Sequence, residues 1–161
     1  PAGGPTHGPA RAALRALAAL REGMGPDHPA LAPSYQVLAE VAAARKDVDG
    51  VRSNMARARE LRLASQGPDD RVSERMHVDE AVLLEQAGLR DEAIGMLRQV
   101  IAADGGVVPY AQHRLAEILH ADPSQRAEAR SLGKQAERGF AAQDMHDAAA
   151  QVREWLEEHD E

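Results

Sequence analysis

The chain has 161 residues, of which 43% are hydrophobic and 2% aromatic, and its 19 Lys and Arg against 26 Asp and Glu give a net charge of −7. Without cysteine it has no disulfides and no thiolate sites, and the acidic balance disfavours nucleic acid as a partner, because nucleic-acid binders need a basic surface. No apolar run approaches the roughly 18 residues of a membrane-spanning helix, so the sequence predicts a cytoplasmic protein that does not bind membranes.

Alanine is the most informative residue in the composition. The 32 alanines favour helices that pack closely through small side chains, whereas a sheet would need more β-branched and aromatic residues. The sequence therefore predicts the all-α class.

The chain begins with a segment rich in proline and glycine, residues 1–9, which predicts a disordered N-terminal tether. A helical repeat domain is expected over residues 10–161. Its first helix is predicted over residues 10–23, where apolar residues recur at three- and four-residue spacing. These residues are Ala13, Leu14, Leu17 and Leu20.

Proline and glycine then divide the remainder into seven further helical segments. One apolar residue marks each in turn: Leu38, Met55, Met76, Leu97, Leu115, Leu132 and Trp155. Ser124 is predicted to cap the seventh helix of the chain. The eighth, predicted over 143–159, would be a C-terminal cap with Phe140, Trp155 and Leu156 in its core.

Part of the sequence repeats at an offset of 42 residues. Gly25-Pro26-Asp27 recurs as Gly67-Pro68-Asp69, and the same offset relates Ala39 to Ala81 and Val51 to Ala93. A third, shorter unit places Ala116 after Ala81 and Ala129 after Ala93. A helical hairpin that buries only one face needs a neighbouring hairpin, so the repeat predicts a stacked array.

The stretch GLRDEAIGMLRQVI, residues 88–101, resembles the tetratricopeptide repeat. The 42-residue spacing and the stretch GPDHPALAPSYQVLAEV, residues 25–41, resemble the kinesin-light-chain-like subclass. The resemblance implies an α-α superhelix, a solenoid of about eight antiparallel helices. The terminal REWLEEH resembles a closing helix found after such repeats in bacterial serine/threonine kinases and related signalling proteins, and 17 arginines against 2 lysines suggest a GC-rich bacterial source.

In such an array the first helix of each hairpin lines a concave groove that binds a protein or peptide. The spacing predicts eight residues along this groove: Gln36, Glu40, Val78, Val82, Glu85, His113, Glu117 and His120. The three glutamates favour a basic partner. The alternative is that these residues form an ordinary solvated helix face.

Other functions have weaker support in the sequence. His113, Glu117 and His120 share one helix face, but a single helix supplies too few ligands for a metal site, so no metal and no cofactor is expected. No nucleophile elbow or phosphate-binding glycine loop is present, so no catalytic residue is predicted. Two alternatives stay open: a sensor domain that binds a small molecule or signalling peptide, and self-association through the uncapped helix 10–23.

Overall fold

The computed structural model describes residues 7–66 and 70–159. Within these ranges the chain forms eight α-helices and no strand, which confirms the all-α class and the eight predicted helices. None of these helices is both long enough and apolar enough to cross a membrane. The helices are α1 His7–Met24, α2 Ala32–Ala44, α3 Val48–Gln66, α4 Asp70–Gln86, α5 Arg90–Ala102, α6 Val108–His120, α7 Arg126–Ala142 and α8 His146–Glu158.

Two predicted boundaries differ from the structure. Helix α1 begins at His7, inside the predicted tether 1–9, whose residues 1–6 lie outside the described residues. The C-terminal helix, predicted over 143–159, begins at His146 because residues 143–145 form the turn that precedes it.

The predicted Ser124 cap of α7 is wrong. Ser124 lies in a short 3-10 helix, Pro123–Gln125, and α7 begins only at Arg126. Asp122 caps this 3-10 helix rather than α7, and its Oδ1 accepts hydrogen bonds from the Ser124 N–H at 2.9 Å and the Ser124 hydroxyl at 2.7 Å. These bonds favour the charged carboxylate and hold the pKa of Asp122 below its usual value.

The chain divides into two compact units, and the first contains α1 to α4. Helix α2 packs most extensively against α3 and also contacts α1 and α4. Ala39, Val51, Ala58 and Ala81 are 0% exposed and Met55 is 1% exposed. Small side chains let these helices approach closely, and Met55 adds the volume that alanines lack.

The second unit contains α5 to α8. Helix α6 packs against α5 and α7, and α7 packs against α8. At its C-terminal end Phe140 is buried among Ala136, Ala149 and Val152, with the ring of Tyr110 edge-on at a centroid distance of 4.7 Å. Phe140 is therefore a core residue as predicted, whereas Trp155 and Leu156 are only partly buried.

Three helices, α2, α4 and α7, end in the same left-handed turn. The residues with positive φ are Lys46 at 62°, Gly88 at 102° and Asp144 at 58°. After each, the next residue donates its N–H to the carbonyl five positions back at 2.9 Å, and the left-handed residue itself donates three positions back. This is the Schellman motif, which satisfies the last carbonyls of a helix. Lys46 and Gly88 are 42 residues apart, the offset of the sequence repeat.

Two glycines provide a matched test of the packing between α6 and α7. A Cβ at Gly139 would lie 2.6 Å from Cγ of Pro109, a ring that cannot rotate away, whereas a Cβ at Gly95 would meet nothing within 4 Å. We expect Gly139→Ala to lower the free energy of unfolding by about 1–3 kcal/mol through overpacking. Gly95→Ala should raise it by about 0.5–1 kcal/mol because alanine is the better helix former. Urea denaturation measures both, and equal stabilisation by the two changes would contradict the close approach at Gly139.

Candidate functional site

In the first unit the predicted groove residues lie on α2 and α4 but differ in accessibility. Glu40 is exposed, and Gln36, Val82 and Glu85 are partly buried. Val78 is only 2% exposed, so its side chain packs in the core rather than lining an accessible surface. The usable part of the predicted surface in this unit is therefore the other four residues.

Gln36 also belongs to a pocket of about 350 Å³ between α2, α3 and α4. Three of its seven lining residues are arginines, and one is an aspartate. We call it the arginine pocket, and it is lined by Gln36, Arg62, Arg71, Val72, Arg75, Met76 and Asp79.

One hydrogen bond between helices and one ion pair within α4 hold polar side chains of the arginine pocket. Arg62, on α3, donates from Nη2 to Oε1 of Gln36 on α2 at 2.9 Å. The Nε of Arg62 is buried and has no hydrogen-bond partner among the described residues. On α4, Nε of Arg75 lies 3.3 Å from Oδ1 of Asp79, and this ion pair joins residues one helical turn apart. The lining side chains thus carry three positive charges and one negative charge.

Sequence reasoning missed this basic pocket. The predicted groove used only the first helix of each hairpin, whereas Arg62 lies on α3, a second helix. Arg71 and Arg75 are four residues apart on α4 and so share one helix face, which is a signal visible in the sequence. The contribution of Arg62 depends on the crossing of α3 with α2 and α4, and no spacing along the chain reveals it.

In the second unit, the predicted residues His113 and His120 of α6 meet Trp155 of α8. Their ring centroids lie 6.0 Å and 5.7 Å from that of Trp155, both edge-on. His159 stacks on Trp155 at 4.9 Å and lies 4.4 Å from His120. The structure therefore brings together three histidines and one tryptophan, which we call the histidine–tryptophan cluster: His113, His120, Trp155 and His159.

The third predicted residue of α6, Glu117, forms an ion pair with Arg114 at 2.7 Å. Its Oε1 is 3.7 Å from Nε2 of His113, too far for a hydrogen bond, and this Nε2 is buried without a partner among the described residues. The carboxylate of Glu117 is thus already paired with a cation of its own helix.

Burial is the main cause of the low pKa values in this cluster. It lowers the pKa of His113, with Arg114 adding to the effect and Glu117 opposing it. It also lowers the pKa of His120, together with the nearby His159 and Arg126. Both effects favour the neutral imidazole. Within residues 7–66 and 70–159, no group of three or more His, Asp or Glu side chains is placed to hold a metal ion.

Helix α1, for which the sequence leaves self-association open as an alternative, exposes large apolar side chains. Leu14 and Met24 are 53% and 54% exposed, while Leu17 and Ala13 are buried. An association through α1 would therefore use Leu14 and Met24 rather than Leu17.

Comparisons of the chain with protein-family models, with curated proteins and with solved structures found no match. The function must therefore be inferred from the residues of the chain and their geometry.

The lowered pKa of His113 predicts that acid destabilises the fold. The unfolded chain binds the proton more readily than the folded one, so stability is lost as the pH falls below about 6.5, the ordinary pKa of histidine. We expect the melting temperature, followed by the fluorescence of the single tryptophan, to decrease between pH 7.5 and pH 5.5. His113→Gln should make this decrease smaller, whereas His146→Gln, at an exposed position, serves as the control. An unchanged pH dependence in His113→Gln would contradict the argument.

Proposed function

We propose that the chain is a tetratricopeptide-like array of helical hairpins that serves as a non-catalytic protein-interaction scaffold. Its partner would be a peptide or domain held on the concave face of the array, against the first helix of each hairpin. We place it in a cytoplasmic bacterial signalling protein, on the resemblance of its repeats and terminal helix.

The observation that carries this proposal is that equivalent positions are buried in all three copies of the sequence repeat. Ala39, Ala81 and Ala116, at one position of the first helices, are each 0% exposed. The same holds at one position of the second helices, occupied by Val51, Ala93 and Ala129. Recurrent burial of small residues at equivalent positions of successive repeats is what stacked hairpins require.

Two similar hydrogen bonds support stacking of successive hairpins. After α2, Nζ of Lys46 donates to the carbonyl of Gln86 at the end of α4, at 2.9 Å. At the start of α5, Nη2 of Arg90 donates to the carbonyl of Ile118 near the end of α6, at 3.1 Å. In each case a positively charged side chain reaches the C-terminal end of the first helix of the following hairpin, where the helix dipole is negative.

Charge reversal on the groove face tests the proposal. A peptide selected from a random display library against the chain serves as the probe, and Glu40→Lys should weaken its binding about three- to tenfold if the peptide is basic. Glu22→Lys makes the same charge change on the exposed surface of α1, and binding should stay within about twofold. Isothermal titration calorimetry measures both.

Nuclear magnetic resonance of the same complex locates the peptide. Amide shifts concentrated on α2, α4 and α6 support the groove. Shifts confined to α3, α5 and α7, or equal effects of the two lysine variants, would contradict it.

The second candidate function is a sensor domain that binds a small ligand, and the arginine pocket is the observation that favours it. Its volume lies near the lower end of the range of about 300–1,000 Å³ for small-molecule sites. Thermal stabilisation by small ligands without a peptide partner would favour the sensor over the scaffold.

A further inference from the structure

The arginine pocket has the opposite sign of charge to the chain as a whole. The protein carries a net charge of −7, yet three arginines and one aspartate line this one pocket. Like charges in a concave space repel one another, and low-dielectric walls strengthen the field inside. Met76, 2% exposed, supplies such an apolar wall. A bound anion would relieve this repulsion.

The arginines approach from different helices, and one is already oriented. The hydrogen bond to Gln36 holds the guanidinium of Arg62 in place, so less conformational entropy is lost when it binds an anion. The buried Nε of Arg62, unpartnered among the described residues, is a donor whose desolvation is uncompensated. Arg71 and Arg75 add donors from α4.

We propose that the arginine pocket binds a phosphoryl dianion, either inorganic phosphate or the phosphate of a small monoester. Guanidinium groups match phosphate oxygens in geometry and charge. The tetrahedral anion offers acceptors in several directions to arginines from two helices, whereas a planar carboxylate offers them in one plane. A peptide on the groove is not required.

Titration with inorganic phosphate tests the proposal on the full chain. Followed by amide shifts, it should saturate at residues of α2, α3 and α4 around the pocket, with a Kd of about 1 mM or tighter. Raising the sodium chloride concentration should weaken binding.

Two substitutions with opposite expected effects on phosphate affinity make the test more specific. Arg71→Gln, at an exposed residue of the lining, should weaken phosphate binding about tenfold, whereas Asp79→Asn removes the carboxylate of the lining and should strengthen it several-fold. Arg15→Gln makes the same charge change as Arg71→Gln on the exposed face of α1 and should leave the affinity unchanged. Circular dichroism establishes that each variant is folded.

The source of the anion is distinguished by comparing inorganic phosphate with phosphoserine and glycerol phosphate. Tighter binding of a monoester assigns the pocket to a phosphorylated small molecule, and equal binding assigns it to free phosphate; both results uphold the proposal. The absence of amide shifts around the pocket, or equal losses in Arg71→Gln and Arg15→Gln, would overturn it. Gln36 belongs to both surfaces, but the peptide experiment is measured through Glu40, which does not line the pocket, so neither outcome bears on it.

Discussion

Close approach between neighbouring helices is the constraint on which the rest of the structure depends. The chain has few aromatic residues with which to fill space, so its helices must come near enough for small side chains to exclude water. Fully buried alanines such as Ala39, Ala58, Ala116 and Ala136 lie where this happens. At Gly139 the helices are so close that even a methyl group would collide with Pro109. Tight packing of this kind contributes many small dispersion contacts rather than a few large hydrophobic ones.

Polar contacts complement this packing at the helix ends, where backbone carbonyls would otherwise be unpaired. Asp47 shows how economically one residue does this. Its N–H donates to the carbonyl of Ala42 and closes α2. Its Oδ1 accepts a hydrogen bond from the N–H of Gly50 and caps α3. Lys46, immediately before it, adds the bond to the end of α4. Two adjacent residues thus close one helix, start the next and join a third.

The sequence predicts the all-α class and the eight helices well because its local signals are strong. Apolar spacing located the eight helices, and the alanine pattern located buried positions such as Ala81 and Ala129. Features that depend on tertiary contacts were missed or misplaced. Val78 has the spacing of a surface residue but is buried. Ser124 has the side chain of a helix cap but lies inside a 3-10 helix that Asp122 caps. Helical spacing gives the face of a residue, but the depth of the neighbouring helix decides whether that face reaches solvent.

The same reasoning separates the two kinds of surface that the protein offers. The carboxylate of Glu40 is exposed, and a surface charge in water interacts only weakly with its neighbours. Glu40 can therefore contribute to binding only when a partner covers it. Arg62, in contrast, is partly withdrawn from water by the helices around it and oriented by Gln36. Holding a charge there disfavours the folded state unless an anion compensates for it. An uncharged residue would pack at this position at a smaller desolvation cost, so Arg62, with two more arginines on the adjoining helix, is the residue to which the proposed anion site gives a role.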